Sequence, residues 1–234
     1  MVGRHELAAF IALTVVAVAG PAFAQEAKKP GLANPVVGTP GQGTKDDRQG
    51  VELTSNQVEL VQKVDTYFNE ISGLKGDFVQ TSAAGTRLRG KFHVKRPGRF
   101  RFDFARPSRL VIVSDGRYVA IQDHDLKTED RWELNQTPFG ILLRQDVNLL
   151  RDARVFEVQD VGDTIVIAFE DKSEKAPGLL RMFFAKKPTL ELKRWITKDL
   201  QGQDTQIELS SIEKNDDFEP DFFKPAPIAL EKLR

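Results

Sequence analysis

From Arg87 onward the chain alternates apolar and charged residues with a period of two, and this alternation constrains the fold more than any other feature. Leu88, Gly90, Phe92 and Val94 interleave with Arg87, Arg89, Lys91, His93 and Lys95. After an Arg96-Pro97-Gly98 turn, Phe100, Phe102 and Phe104 interleave with Arg99, Arg101 and Asp103. Successive side chains of a strand point to opposite faces, so the pattern predicts strands with one apolar and one wet face. Further candidates come in quick succession: Leu110 to Val113, Tyr118 to Ile121, Lys127 to Leu134, Val155 to Gln159, Thr164 to Phe169, Leu179 to Ala185, Leu190 to Thr197 and Thr205 to Ile212. Turns between them carry Asp115-Gly116, Gly162-Asp163, Pro177-Gly178, Lys187-Pro188 and Gly202. Short strands joined by tight turns predict an antiparallel meander, because parallel pairs would need long crossovers.

Two helical patterns interrupt the strands. Thr54 with Gln57 forms a capping box. Val58, Val61, Val64, Phe68 and Ile71 recur at spacings of 3, 3, 4 and 3, an apolar stripe that Gly73 is expected to stop. Thr137 to Leu150 is the second pattern, with Pro138 at a helix start. The expected fold is mainly β (α+β), one large curved antiparallel sheet of about ten or eleven strands with two or so helices.

The N-terminus reads as an address. Arg4 and His5 precede an apolar run from Leu7 to Ala19, Gly20-Pro21 breaks it, and Ala22-Phe23-Ala24 is a small-x-small cleavage site. The run is 13 residues long. That is short of the roughly 20 a membrane-spanning helix requires, so cleavage after Ala24 is expected over anchoring. Residues 25–50 hold three Pro and five Gly with almost no large apolar side chain and read as a flexible linker. The folded domain is then 51–234.

A sheet of this size must curl, split or close. If it curls, Phe92, Phe100, Phe102 and Phe104 line its concave face. Phe makes up 16 of the 20 aromatic residues, and it supplies apolar area with no polar handle. Alternation says which face is inward, not whether that face is filled, so a packed core and a lined hollow of several hundred Å³, the scale of ligand pockets, both remain open.

Composition removes several function classes. Lys+Arg and Asp+Glu both total 34, so the basic surplus of a nucleic-acid binder is missing. The absence of cysteine excludes disulfides, thiolate metal sites, a cysteine nucleophile and a lipid-modified N-terminal Cys. No G-x-S-x-G, P-loop or H-E-x-x-H motif occurs. His93 reads as a solvated residue on a charged strand face, Asp123-His124-Asp125 as a solvated turn, Ser114-Asp115-Gly116 as turn chemistry, and Glu213 to Asp217 as a polar surface. Neither enzymatic activity nor a metal or cofactor is expected.

The run from Lys95 to Leu143 resembles the periplasmic outer-membrane lipoprotein carriers, the LolA family. The resemblance rests on Phe78 and Gln80 in F-V-Q, Gly90, Lys95-Arg96-Pro97 with Phe100-Arg101-Phe102, Pro107, Val113-Ser114-Asp115-Gly116, Asp123 and Thr137-Pro138-Phe139. Many family members carry Trp where this chain has Phe102, which keeps the bulk and drops the indole N–H. The resemblance implies an unclosed β-barrel with a helical lid over an apolar cavity that shelters lipoprotein acyl chains in the periplasm. It implies cargo received from an inner-membrane ABC transporter and passed to an outer-membrane acceptor lipoprotein, by a protein expected to be monomeric. The lipid-cavity set expected on this basis is Phe78, Phe92, Phe100, Phe102, Phe104, Ile112, Trp132, Phe139, Ile141 and Leu142. Arg96, at the family's K-R-P turn, is expected to latch the lid. The alternative function is a carrier or sensor of another lipid on the same fold, or a sensor of lipoproteins for a signalling partner.

Overall fold

The computed structural model describes residues 50–173, 175–198 and 202–228. The expected signal sequence and nearly all of the linker lie outside the described residues. One 16-residue helix, α1 (Ser55–Glu70), precedes the sheet. Its start agrees with the sequence reading: Thr54 and Gln57 form a reciprocal capping box. Its end does not. The helix closes at Glu70 with Ile71 as an extended cap, and Gly73 is the first residue of a strand. A Cβ on Gly73 would lie 2.1 Å from the carbonyl oxygen of Asn215, so close backbone approach, not a helix stop, requires glycine there.

Eleven strands form a single antiparallel sheet: β1 (Gly73–Thr81), β2 (Arg87–Lys95), β3 (Arg99–Phe104), β4 (Leu110–Asp115), β5 (Tyr118–Asp123), β6 (Thr128–Glu133), β7 (Ala153–Val161), β8 (Thr164–Asp171), β9 (Leu179–Ala185), β10 (Glu191–Lys198) and β11 (Asp204–Lys214). Their spatial order is β6-β5-β4-β3-β2-β1-β11-β10-β9-β8-β7. The sheet is thus two meanders joined where β1 pairs with β11, and β6 and β7 are its outer edges. The sheet is strongly curled. Phe102 on β3 and Trp195 on β10 are separated by three strands, which in a flat sheet places them almost 20 Å apart. Their ring centroids lie 6.4 Å apart.

The turns obey local chemistry. Asp115 Oδ1 accepts hydrogen bonds from the amides of Arg117 and Tyr118, each at 2.8 Å, and Gly116 takes φ +103°. Asp123 Oδ1 accepts from the amides of Asp125 and Leu126 in the same manner. The chain between β6 and β7 departs from expectation. The helix anticipated from Thr137 to Leu150 is two 3₁₀ turns, Leu134–Gln136 and Gly140–Leu143, then a single α-turn, α2 (Leu149–Asp152). Gly140 sits where a Cβ would approach the Leu134 carbonyl oxygen to 2.5 Å. A consecutive run of Ile141, Leu142 and Leu143 also cannot place every side chain on one helical face.

His93 is likewise not solvated. After β11 the chain folds back over the outer face of the sheet, and the rings of Phe222 and Phe218 stand edge-on to His93 at 4.8 and 6.1 Å. Burial holds the imidazole pKa below its ordinary value. Among the described residues no group of three or more His, Cys, Asp or Glu could hold a metal ion, and no helix is long and apolar enough to cross a membrane.

Candidate functional site

The concave face is used in two ways. Over β7, β8 and β9 it is solid: α1 lays Val61, Val64 and Phe68 on it, and Phe169, Phe184, Ile165 and Ile167 beneath are almost wholly buried. Phe68 and Tyr67 meet Phe184 edge-to-face at 6.0 and 5.6 Å. The Tyr67 hydroxyl accepts a hydrogen bond from the amide of Leu192 at 3.2 Å. Over β1, β2, β3, β10 and β11 the face instead borders a cavity of about 150 Å³.

Phe92, Phe100, Phe102, Phe104, Ile112, Phe139, Leu142 and Arg96 border this cavity. Glycines shape its wall. Phe102, Phe92 and Gly76 lie in one cross-strand row, and Phe104, Gly90 and Phe78 in the next. A Cβ on Gly76 would meet the Phe92 ring at 2.7 Å, and one on Gly90 would meet the Phe78 ring at the same distance. The rings lie down over the missing side chains, a cross-strand pairing that also covers the exposed glycine backbone. Phe78 is consequently part of the wall, packed edge-on behind Phe102 and Phe104 at 5.1 and 4.9 Å, and does not border the cavity. Ile141 is fully buried and also outside the lining, and Trp132 sits half-buried on the edge strand β6, away from it.

Sequence reasoning misses the other half of the lining. Tyr67 and Phe68 come from α1, Ile71 from its cap, Leu74 from β1, Met182 from β9, Leu192 and Trp195 from β10, and Ile207, Leu209 and Ile212 from β11. The apolar stripe of α1 and the alternation of β11 are visible signals. On β11 the alternation skips a step, because a bulge with Ser211 at φ +52° turns both Leu209 and Ile212 inward.

The segment between β6 and β7 covers the cavity. Phe139 reaches across to Trp195, ring centroids 5.6 Å apart. Arg96, Asn69 and Asp65 are among the polar side chains that hold the cover; Lys172 donates to the Leu150 and Arg151 carbonyls, and Asp171 pairs with Arg144 at 3.1 Å. The Arg96 guanidinium donates to the carbonyl of Arg144, to that of Gln145 at 3.3 Å and to Asn69 Oδ1 at 3.4 Å. Asn69 Oδ1 accepts from the Val147 amide and its Nδ2 donates to the Val147 carbonyl, both at 2.9 Å. Asp65, one helical turn earlier, accepts from the Leu149 amide at 3.0 Å. Asp65 is 9% exposed, and burial pushes its pKa up to about 6, opposed by that amide and reinforced by Asp146 and Asp152. Burial also lowers the Arg96 pKa, with Asp146 pulling the other way.

The turn that carries Arg96 is braced from below. Ser114 is fully buried; its hydroxyl donates to the Gly98 carbonyl at 2.8 Å and accepts from the Gly116 amide at 3.2 Å. Gly98, at φ +74°, packs so close to Gly116 that a Cβ would come within 2.7 Å of the Gly116 Cα, and its amide donates to the Leu143 carbonyl at 2.8 Å. Lys95-Arg96-Pro97-Gly98 and Val113-Ser114-Asp115-Gly116 are therefore a single knot beneath the cover.

An outer-membrane lipoprotein carrier protein of Nitrosomonas europaea is 28% identical over 181 residues, 73% of this chain and 86% of that one. Another, of Chromobacterium violaceum, is 27% identical over 179 residues, 73% of this chain and 85% of its own length. A crystal structure of a LolA superfamily protein from Nitrosomonas europaea superposes with a TM-score of 0.45 at 13% identity, over 74% of this chain and 99% of that one. The family model "Outer membrane lipoprotein carrier protein LolA" matches residues 69–226, a span that holds every strand, the Arg96 knot and the whole cover, and the chain belongs to that family.

Proposed function

We propose that this protein is a periplasmic carrier that shelters the acyl chains of lipoproteins in the Phe-lined cavity between the inner and outer membranes. The observation that carries this reading is an apolar hollow under a short cover whose backbone is tied down by polar side chains. Each acyl methylene removed from water is worth about 0.8 kcal/mol, so acyl chains cannot cross an aqueous space unshielded. A lining of Phe takes them up without leaving a hydroxyl unpaired.

The cavity is smaller than the several hundred Å³ anticipated from sequence. About 150 Å³ is the space of a benzene-sized guest, well short of an acyl chain. In this reading the structure is the closed state, and loading lifts the segment from Leu134 to Asp152. Arg96, Asn69 and Asp65 are the latch, breaking together when cargo enters and reforming on release. Cargo arrives from an inner-membrane ABC transporter and leaves to an outer-membrane acceptor lipoprotein, and the N-terminal 24 residues direct export and are removed. The carrier acts as a monomer and without chemical conversion of its cargo.

Native mass spectrometry of the purified protein with a synthetic triacylated lipopeptide tests the reading, with a one-to-one complex expected. Absence of a complex under conditions where the protein is folded defeats it. The latch is tested by Arg96→Leu. The fold and far-UV spectrum should persist, and the Gly98 amide, which donates into the cover, should exchange with deuterium roughly tenfold faster as one to two hydrogen bonds are lost. Unchanged exchange and unchanged transfer of lipopeptide to an acceptor membrane remove Arg96 from the mechanism.

A further inference from the structure

One side chain of the cavity is out of character with the rest. Gln80, on β1, is only 8% exposed and borders the hollow, yet among the described residues its amide has no hydrogen-bond partner. An amide that faces an apolar space has to find its hydrogen-bond partners within that space.

Its surroundings give it company. Gln80 pairs with Ile207 of β11, and two residues earlier on the same inward face of that strand is Thr205. Thr205 pairs directly with Thr197 of β10, which also borders the cavity. The Thr197 hydroxyl donates to the Thr205 carbonyl at 3.3 Å. The charged pair one step further out, Lys198 and Asp204, is closed on itself at 3.1 Å. Gln80, Thr197 and Thr205 therefore form a neutral, hydrogen-bonding end to an otherwise greasy space. Ile71, Leu74, Ile212 and the latch residue Arg96 lie at the opposite end. Leu74 and Gln80 are six residues apart on β1, which separates the two ends by about 20 Å.

We infer that the Gln80–Thr197–Thr205 end receives the ester or amide carbonyls that join acyl chains to their headgroup, with the hydrocarbon lying along the Phe rows toward Arg96. This rests on the cavity's being an acyl-chain shelter. The match is one of chemistry. A chain terminus offers these groups nothing, and among the described residues the nearest charges, Lys198 and Asp204, are paired with each other. A carbonyl oxygen is a neutral acceptor for the amide protons of Gln80 and for the Thr205 hydroxyl, while Thr197, whose hydroxyl is held by the Thr205 carbonyl, fixes that strand pair. The pairing also fixes the polarity of loading: the headgroup emerges at the β10–β11 end and the tails push under the latch.

The experiment compares Gln80→Met, which keeps volume and loses the amide, and the double variant Thr197→Val/Thr205→Val with wild type. The probes are a synthetic triacylated lipopeptide, dioleoyl phosphatidylglycerol micelles and N-phenyl-1-naphthylamine, an apolar dye with no carbonyl. Lipopeptide affinity should fall roughly tenfold in each variant, the equivalent of one hydrogen bond, while dye affinity is unchanged. Thr197→Ser, which retains the hydroxyl, should keep lipopeptide affinity. Parallel loss for the phospholipid assigns the end to glyceryl esters, and loss for the lipopeptide alone assigns it to the N-acyl amide. Unchanged lipopeptide affinity, or equal loss of lipopeptide and dye, overturns the inference. If wild type binds none of the three probes, it is the carrier reading that has failed.

Discussion

The two halves of the concave face are built from the same sheet and end in opposite states. Over β7, β8 and Phe184 of β9, α1 packs onto the sheet, and Val61, Val64, Phe169 and Phe184 are left with no measurable exposure. Among the described residues no helix of comparable length lies over β1 to β3; the cover there is two 3₁₀ turns and one α-turn. Such pieces cannot present a continuous apolar stripe, so the Phe rings beneath are only partly filled in. What separates core from cavity is thus not the composition of the sheet, which is apolar in both halves, but the geometry of the layer across it. One half is held by packing. The other is held by packing of Ile141, Val147 and Leu149 together with a guanidinium, a carboxamide and a carboxylate on backbone groups, contacts that can be exchanged for water at little net cost.

Cutting into each half should expose this difference. Phe184→Ala, in the solid half, should cost about 3–5 kcal/mol in urea unfolding, the usual loss for deleting a buried ring. Phe102→Ala, over the cavity, should cost no more than about 2 kcal/mol because its ring already borders free space, while uptake of an apolar dye changes. Equal destabilisation by the two would erase the distinction between them.

A second, smaller effect belongs to the Asp65 contact with the cover and is read by pH. Asp65 has its pKa raised from 3.8 to about 6, chiefly by burial. The folded protein therefore binds this proton more tightly than the unfolded chain. The stability so contributed is full below about pH 4 and is lost as pH rises through 6. Asp65→Asn keeps an acceptor for the Leu149 amide and removes the charge. Relative to that variant, wild type should lose roughly 2–3 kcal/mol between pH 4 and pH 7. Parallel stability curves for the two proteins would mean that burying this carboxylate costs nothing. The smallest effect is expected at the edge of the sheet. Trp132→Phe, outside both the solid half and the cavity, should leave dye binding within error of wild type.

Much of the architecture is legible because period-two alternation is a direct image of strand geometry. Ten strands can be read from it. β1 cannot. Its inward positions run Leu74, Gly76, Phe78 and Gln80, one glycine and one amide among four, so the apolar signal drops out at the centre of the sheet. Both exceptions have uses that only the tertiary structure reveals: Gly76 leaves room for the Phe92 ring, and Gln80 faces the hollow. The cover reads as a helix because Thr137-Pro138 resembles a helix start, whereas the chain beyond that dipeptide is shaped by the backbone contact of Gly140 with Leu134. Phe92, Phe100, Phe102 and Phe104 can be placed on the inward face, yet nothing local separates them from Phe78, which is turned down over Gly90. Asp65 and Asn69 lie beside the apolar stripe of α1 like any other polar flank. Their partners, Leu149 and Val147, are about 80 residues away, and no spacing rule connects them.

That β6 and β7 do not pair with each other has a mechanical consequence. In a closed barrel, strand number and shear fix the radius, and widening the ring means breaking a seam of backbone hydrogen bonds. Here the ladder from β6 to β7 is interrupted once, so its circumference is not set by registry. The wall can flex outward with every strand still bonded to its neighbours, and a container with a split of this kind can take contents larger than its resting volume.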